Sequence, residues 1–310
     1  MRDPDSLRIL LLGANGQLGF ALNPVLSQMG RVRALTRADL DLADAATFSK
    51  KLQAHLQDFQ PQVIVNAAAY TAVDLAQSET DLVWQVNAHA VRELAAQAHT
   101  VGCMLVHYSS DYVFDGSGTQ AWREEDAPHP LSVYGQSKLA GEQAIANQHD
   151  RAVVLRTSWV VGGHGNNFLK TILRLANEKE SLRVVSDQMG APTSVRVLAQ
   201  VTVAVITQCL AASVRDAKWG LYHVAAAGET SWYGYALHAV EHAWSRGAVL
   251  RLRPSAIEPI RTEDYPLPAP RPRNSRLNTD KLRRTFALDL PSWKQEIEAV
   301  VDEILGVQQS

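Results

Sequence analysis

Tyr134 and Lys138 stand four residues apart in VYGQSKLAGE, and on a helix that spacing puts both on one face, one turn apart. A free tyrosine has a pKa of about 10 and exchanges protons poorly at neutral pH, whereas a nearby ammonium favours the phenolate and brings the group toward working range. Ser110 in YSSDYVFDG offers a third group. Its hydroxyl can donate to a carbonyl oxygen or to the Tyr134 hydroxyl and so stabilise charge developing on oxygen. The set fits proton transfer to a carbonyl under reduction. Each member has a plain alternative: YxxxK recurs by chance on helices as a surface tyrosine beside a solvated lysine, and Ser110-Asp111 alone reads as a turn.

A second pattern precedes this one. Gly13-Ala-Asn-Gly16-Gln-Leu-Gly19 has GxxGxxG spacing directly after the apolar run LRILLL, Leu7 to Leu12. Three glycines alone are a weak signal. Between a buried strand and a helix start they let the backbone approach a pyrophosphate, which free N–H groups and the helix dipole then hold. At the end of the second strand an acidic side chain would accept a ribose 2′-hydroxyl; here Thr36-Arg37 occupies that point. Arginine pairs with a 2′-phosphate, so the expected cofactor is NADPH, with NADH possible. Asp39 and Asp41 lie close by, and Asp41-Leu42 could sit near the adenine. Lys138 could hydrogen-bond the nicotinamide ribose.

These residues need a scaffold, and the chain spells one out. After LRILLL, a helix over Gln17 to Met29 and a strand over Arg31 to Thr36 complete a βαβ opening. Strands at Gln62 to Asn66, Met104 to Ser109 and Ala152 to Thr157 then alternate with helices at Glu79 to Val101 and Tyr134 to Asn147. The alternation predicts an α/β fold, a Rossmann-type doubly wound parallel sheet with a smaller α/β substrate-binding domain. Ser110 and Asp111 then fall at the carboxyl edge of the sheet, where such sheets bind ligands. After about Trp159 the rhythm loosens into GGHGNN, shorter strands such as Leu221 to Val224, and a Pro-rich stretch from Pro254 to Pro272. Residues 1–160 are expected to form the NAD(P)-binding domain, with about 192–226 returning to it, and 161–310 mainly the substrate domain. A last helix opens at Ser292, with Gln295 at capping-box spacing and Ile297, Val300, Val301 and Ile304 on one apolar face.

Composition narrows the partners. With 310 residues, 46% hydrophobic and 20% charged, the chain can bury a sizeable core and is not of the disordered class. Thirty Lys+Arg against 32 Asp+Glu leave a net charge of -2, so no basic field gathers nucleic acid or an anionic membrane, and the partner is a small molecule. Cys103 and Cys209 are the two cysteines; they form neither a disulfide framework nor a zinc motif, which fits a reducing cytoplasm. MRDPDSLR lacks an apolar signal core, and the longest apolar stretch, Leu198 to Ala212, is interrupted by Gln and Thr.

The glycine loop, NAAAYTAVD (66–74), YSSDYVFDG (108–116), YGQSK (134–138), RTSWVVG (156–162), GNNFLKT (165–171), DQMGAPT (187–193) and RPRNSRLNT (271–279) together resemble the dTDP-4-dehydrorhamnose reductase family of the extended short-chain dehydrogenase/reductase superfamily, essentially end to end. The resemblance implies reduction of the 4-keto group of dTDP-6-deoxy-L-lyxo-4-hexulose by NAD(P)H, giving dTDP-L-rhamnose for surface polysaccharide. Carried over, cofactor contacts fall on Gly16, Gln17, Leu18, Ala69, Tyr70, Thr71 and Tyr108, the proton donor on Tyr134, its partner on Lys138, and substrate contacts on Asp111 and Trp159. Ser110 stands where many members carry threonine. Trp159 could instead plug the core. Segments 159–193 and 254–279 are expected to form the sugar-nucleotide cleft, with Arg271, Arg273 or Arg276 as diphosphate partners.

Two departures sharpen the expectation. Dehydratases of the superfamily carry Asp-Glu after the active-site hydroxyl; here the pair is Asp111-Tyr112, which favours ketone reduction over water elimination. Some family members dimerise through a magnesium ion held by glutamates, and the matching positions here are Ala21, Arg196 and Glu303. Glu303 is the one acid left and an arginine repels a cation, so a Mg2+ bridge is not expected and the chain is read as monomer or homodimer. The competing reading is a non-catalytic NADP-binding subunit, similar to the methionine adenosyltransferase β subunit. Retention of Ser110, Tyr134 and Lys138 together argues for the enzyme.

Overall fold

The computed structural model describes residues 6–212 and 218–307; residues 1–5, which open the MRDPDSLR segment, lie outside them. The apolar run forms β1 (Leu7–Leu12), with its last four residues buried, and the glycine turn leads into α1 (Gln17–Met29). There follow β2 (Gly30–Leu35), α2 (Phe48–Phe59), β3 (Val63–Asn66), α3 (Thr80–Trp84), α4 (Ala90–Thr100), β4 (Met104–Ser110), α5 (Val133–Gln148) and β5 (Ala152–Thr157). The chain continues through β6 (Val160–Val161), α6 (Phe168–Glu178), β7 (Leu182–Val185), β8 (Met189–Gly190), β9 (Thr193–Ser194), α7 (Val195–Ala211) and β10 (Gly220–Val224). It ends in β11 (Thr230–Ser231), α8 (Trp232–Ser245), β12 (Ile257–Ile260), α9 (Asp280–Phe286) and α10 (Trp293–Leu305).

Six strands form one sheet in the order β10-β5-β4-β3-β1-β2, every neighbour parallel. The chain moves outward from β1 to β2, then crosses to the other side of β1 to lay down β3, so the winding reverses between β1 and β3. Ligands of open α/β sheets bind in the crevice at that reversal, beyond the strand carboxyl ends. The strand expected at Leu221–Val224 is the outer member of this sheet, β10.

Each sheet face carries its own core. Leu22 and Leu26 of α1 and Val205 and Ile206 of α7 cover one face; Leu52 and Leu56 of α2, Leu94 of α4 and Ile145 of α5 cover the other. Burying each such side chain stabilises the fold by about 1.5–3 kcal/mol. A third core, built from Leu169, Ile172, Tyr235, Val240, Ile297 and Val301, joins α6, α8 and α10 beside the sheet. Ser132, Asn167, Ser194, Ser231 and Ser292 cap five helices by accepting backbone N–H bonds. At Ser292 the donor is the Lys294 amide.

One expected helix departs from regularity. The Glu79 to Val101 segment is broken by a π-helical turn, Gln85–His89, between α3 and α4. The extra residue in that turn belongs with Asn87, which is buried and bonds the Tyr70 backbone on both sides: Oδ1 accepts from Tyr70 N at 2.9 Å and Nδ2 donates to Tyr70 O at 3.0 Å.

Candidate active site

The glycines after β1 are dictated by crowding. Gly13 has φ +75, and a Cβ there would lie 2.7 Å from Ala68 N; a Cβ on Gly19 would lie 2.0 Å from Gly13 O. Gly16 caps α1 without any side chain on the first-turn amides. Those amides and the positive end of the helix dipole open onto a cleft of about 350 Å³ lined by Gly13, Gly16, Arg37, Asp41, Leu42, Ala69 and Tyr70. Arg37 stands at its mouth, 74% exposed, with its Nε 3.1 Å from Asp41 Oδ2. Asp41 also accepts from the Ala43 amide. Asp39 is occupied by the Thr36 amide and hydroxyl at 2.8 and 2.7 Å, which hold its carboxyl below the usual range.

Other expected cofactor residues lie outside this lining. Gln17 ties α1 to the second half of the chain, donating to Val160 O at 3.2 Å and accepting from Asn167 at 2.6 Å. Leu18 packs into the core, Gly19 is seated on Gly13, and Thr71 is exposed. Tyr108 turns its ring into the core, where its hydroxyl meets Thr202, so its backbone carbonyl is the group it offers the site. The Tyr70 hydroxyl donates to Glu79 at 2.6 Å and is pushed up to about 12 by that bond and by partial burial.

The Tyr134 and Lys138 helix is pressed onto the end of β4. A Cβ on Gly135 would lie 2.1 Å from Tyr112 O, so the first turn of α5 reaches the loop after Ser110 only because that residue is glycine. Both side chains are buried, Tyr134 at 9% and Lys138 at 2% exposure. Lys138 Nζ donates to Tyr108 O at 2.7 Å and stands 3.5 Å from His107 Nε2. Asn66 fixes that histidine: its Oδ1 accepts from Ala68 N, so its Nδ2 donates to His107 Nδ1 at 3.0 Å. The neutral ring therefore carries its proton on Nε2, facing Lys138. Burial, with the neighbouring Lys138 charge, holds His107 well below its ordinary value. Burial also brings Lys138 down to about 8, opposed by Glu142.

The expected lowering of the Tyr134 pKa is not what this arrangement produces. Burial pushes Tyr134 up to about 12, opposed by hydrogen bonding with Ser110 and reinforced by the Asp111 charge. The Lys138 ammonium is engaged at Tyr108 O, and desolvation outweighs it. Ser110 serves the turn as well as the site: its hydroxyl donates to Asp111 Oδ1 at 3.1 Å and accepts from Tyr112 N at 3.2 Å. Asp111 is 2% exposed, and burial brings its carboxyl up to about 6 against the influence of the neighbouring Ser275 and Ser110 hydroxyls. Its Oδ2 has no hydrogen-bond partner among the described residues.

Beyond Tyr112 opens a second cleft of about 490 Å³, lined among others by Phe168, Gln188, Trp232, Thr262, Tyr265 and Arg271. Trp159, at φ 48, is half-buried and stacks on Trp232 with ring centroids 3.7 Å apart. Trp232 is thus the ring that lines the cleft, and Trp159 backs it. Gly190 makes the room, since a Cβ there would come within 2.8 Å of the Trp159 indole. Trp232 Nε1 donates to Gln188 Oε1 at 3.1 Å, and Gln188 donates on to Thr262 at 3.2 Å. Nothing in the local sequence around Trp232 marks it for this position. The three arginines expected to meet a diphosphate all have acidic partners: Arg271 grips Asp74 through two bonds of 2.9 and 2.7 Å, Arg273 meets Glu263, and Arg276 meets Glu229. Glu303 is exposed and lies against Gly163, while Arg196 pairs with the buried Glu296.

Comparison with known proteins agrees with this geometry. Residues 7–305 match the family described as the RmlD substrate binding domain. The chain is 42% identical over 298 residues to the dTDP-4-dehydrorhamnose reductase of Escherichia coli (strain K12), an alignment covering 96% of this chain and 98% of that one. It is 41% identical over 307 residues to the reductase of Burkholderia thailandensis, covering 97% and 100%. The crystal structure of dTDP-4-dehydrorhamnose reductase from Bacillus anthracis in complex with NADP superposes with a TM-score of 0.85 at 34% identity, covering 96% of this chain and 99% of that one. With the glycine turn, the Tyr134–Lys138 helix and the full-length match in agreement, the chain belongs to the dTDP-4-dehydrorhamnose reductase family.

Proposed function

We propose that this protein reduces the 4-keto group of dTDP-4-dehydrorhamnose (dTDP-6-deoxy-L-lyxo-4-hexulose) to give dTDP-L-rhamnose, the last step of dTDP-rhamnose biosynthesis. NADPH is the preferred reductant and NADH a possible one. The observation that carries the reading is the meeting of Tyr134, Ser110 and Asp111 at the carboxyl edge of β4, between the cleft over the glycine turn and the cleft under Trp232.

The cofactor fits the residues present. The spaces that a Cβ on Gly13 or Gly19 would fill are already taken by backbone, leaving bare amides at the start of α1 to hold a pyrophosphate. Arg37 is the group for a 2′-phosphate and Asp41-Leu42 the edge for the adenosine. Bound there, NADPH supplies the hydride. Tyr134 donates the proton to the substrate oxygen as charge builds on it; at a pKa of about 12 the phenol is held protonated through the physiological range. Ser110, turning its hydroxyl away from Asp111 Oδ1, donates to the same oxygen and helps bear its charge. Lys138, anchored by Tyr108 O and faced by His107, sets a positive charge behind the tyrosine. Acid–base catalysis of this kind is worth about 10²–10⁴-fold and a single oxyanion donor about 3 kcal/mol.

Asp111 and Trp159 belong to the substrate side, Trp159 acting through the ring of Trp232 stacked on it. The position after Asp111 carries Tyr112, whose hydroxyl burial pushes up, so no carboxyl is offered for water elimination. We assign residues 1–160, together with about 192–226, to cofactor binding and 161–310 mainly to the sugar nucleotide. Among the described residues no helix is long and apolar enough to cross a membrane. Two free, buried cysteines accord with a cytoplasmic location, and the molecule acts as monomer or homodimer.

The test is a panel of 4-keto sugar nucleotides assayed with NADPH and with NADH. Turnover of the dTDP-4-keto sugar to dTDP-L-rhamnose is expected, fastest with NADPH. NADPH binding without oxidation by any member of the panel would overturn the reading in favour of a non-catalytic NADP-binding subunit.

A further inference from the structure

At the end of the sheet opposite the active site, where β4 and β5 begin, the last turn of α4 meets the residues that follow α5. His149 caps α5, and its side chain is 1% exposed. Its Nε2 lies 2.8 Å from Cys103 O. A carbonyl only accepts, so Nε2 carries the proton and Nδ1 keeps its lone pair. That Nδ1 is buried without a hydrogen-bond partner among the described residues and is aimed at Asp150, 3.9 Å from its Oδ1. His99 brings its own Nδ1 to 3.6 Å from the same oxygen. One ligand atom from each of the three residues lies within 4.8 Å of those of the other two.

These separations are those of a three-ligand cluster that exposed side chains can close around an ion. Ligands at about 2.0–2.1 Å from a tetrahedral ion stand roughly 3.3–3.4 Å apart. His149 is held fast by Cys103, whereas His99 and Asp150 are 58% and 78% exposed and can close the remaining gaps, about 0.3 and 0.5 Å to the carboxylate and up to about 1.5 Å between the imidazoles. Two imidazoles and one carboxylate suit a borderline divalent ion and not a hard one, and three protein ligands leave a position for water. The nearby Arg151 guanidinium is drawn aside: it donates to Gly102 O at 2.6 Å and lies over the Trp219 ring. The Cys103 thiol, buried and pushed up to about 12, stays out of the ligand set. Burial keeps His149 neutral, as a ligand must be.

We propose that His99, His149 and Asp150 form a site for Zn2+ or a similar divalent transition ion, which pins the end of α4 to the start of β5. The site is independent of the reductase reading.

The test uses tag-free full-length protein stripped with EDTA, titrated calorimetrically with Zn2+ and spectroscopically with Co2+. Expected are about one equivalent bound at micromolar or lower concentration, ligand-field bands of a four- or five-coordinate Co2+, and a higher Tm with Zn2+. H99A and D150A, both at exposed positions, should weaken binding at least about tenfold and lose the Tm rise, with unchanged circular dichroism. H149Q should do the same; if it fails to fold, the two exposed variants still decide. Binding only at about millimolar metal, or undiminished binding in H99A and D150A, would overturn the proposal.

Discussion

Lys138 gives the sharpest quantitative handle on the site. Burial takes its pKa from the ordinary 10.5 to about 8, and Glu142, gripped by Arg156 at 2.8 and 2.6 Å, is what limits the fall. The displacement corresponds to roughly 3 kcal/mol against the ammonium. If the positive charge behind Tyr134 is needed, about a tenth of it remains one pH unit above that value, and the rate falls tenfold for each further unit. The assay is kcat/KM for the dTDP-4-keto sugar, followed by NADPH loss from about pH 6 to 10. A plateau should give way to a single falling limb near pH 8, and Glu142→Gln should move the limb lower. Unfolding through this lysine cannot mimic the result. Between about 8 and 10.5 the unfolded chain still binds the proton that the folded lysine has lost, so this group adds stability as pH rises across that window. A flat profile to about pH 9.5, or the same limb in Lys138→Met, would refute the reasoning.

Tyr134→Phe should lower kcat by about 10²–10⁴-fold while the NADPH dissociation constant, read by fluorescence, stays within about twofold. Arg37→Asp removes an exposed cation at the cleft mouth and should raise the KM for NADPH about tenfold, with NADH then preferred; an unchanged cofactor ratio removes Arg37 from that role. Gly190→Ala drives a methyl to within 2.8 Å of the Trp159 indole and should raise the KM for the sugar nucleotide several-fold, leaving that for NADPH unmoved. Asn87→Ala loses both Tyr70 backbone bonds and the 3.1 Å bond to Ser137, and should cost about 1–3 kcal/mol in thermal or denaturant unfolding.

The parallel sheet is legible because its inner strands are short and mostly apolar: Leu7–Leu12, Val63–Asn66 and Ala152–Thr157 fall where the sequence pattern puts them, to within a residue. The sequence reading passes over α2, whose buried face is Phe48, Leu52, Leu56 and Phe59. The π-helical turn is not legible, because its reason lies in the Tyr70 backbone, 17 residues from Asn87. Spacing brings Tyr134 and Lys138 to one helix face, but the direction of the Tyr134 shift depends on how completely the helix is buried, which four-residue spacing does not carry. Trp232 escapes for a related reason: its place is set by Trp159 and Gly190, on other elements entirely.

The arginines of RPRNSR show how charge is used in a nearly neutral chain. Arg271 is mostly buried and reaches across to Asp74 in the loop after β3, while Asp74 also accepts from Ala269 N, so the Pro-rich segment is fastened to the sheet half of the molecule beside the Trp232 cleft. That pairing holds the Asp74 carboxyl below the usual range and leaves the guanidinium little unmet charge. Arg273 and Arg276 are likewise matched by Glu263 and Glu229. A dianionic ligand therefore meets few uncommitted cations here, and breaking Arg271 from Asp74 to gain a phosphate contact would also release the wall of the cleft. In the complex proposed above, bare amides at the start of α1 and the exposed Arg37 would carry the phosphates on the cofactor side, while on the substrate side the apolar rings and the Gln188–Thr262 pair would share the holding with Arg183, an exposed cation of the cleft lining, so overall charge excludes polymeric partners yet says nothing against a sugar nucleotide.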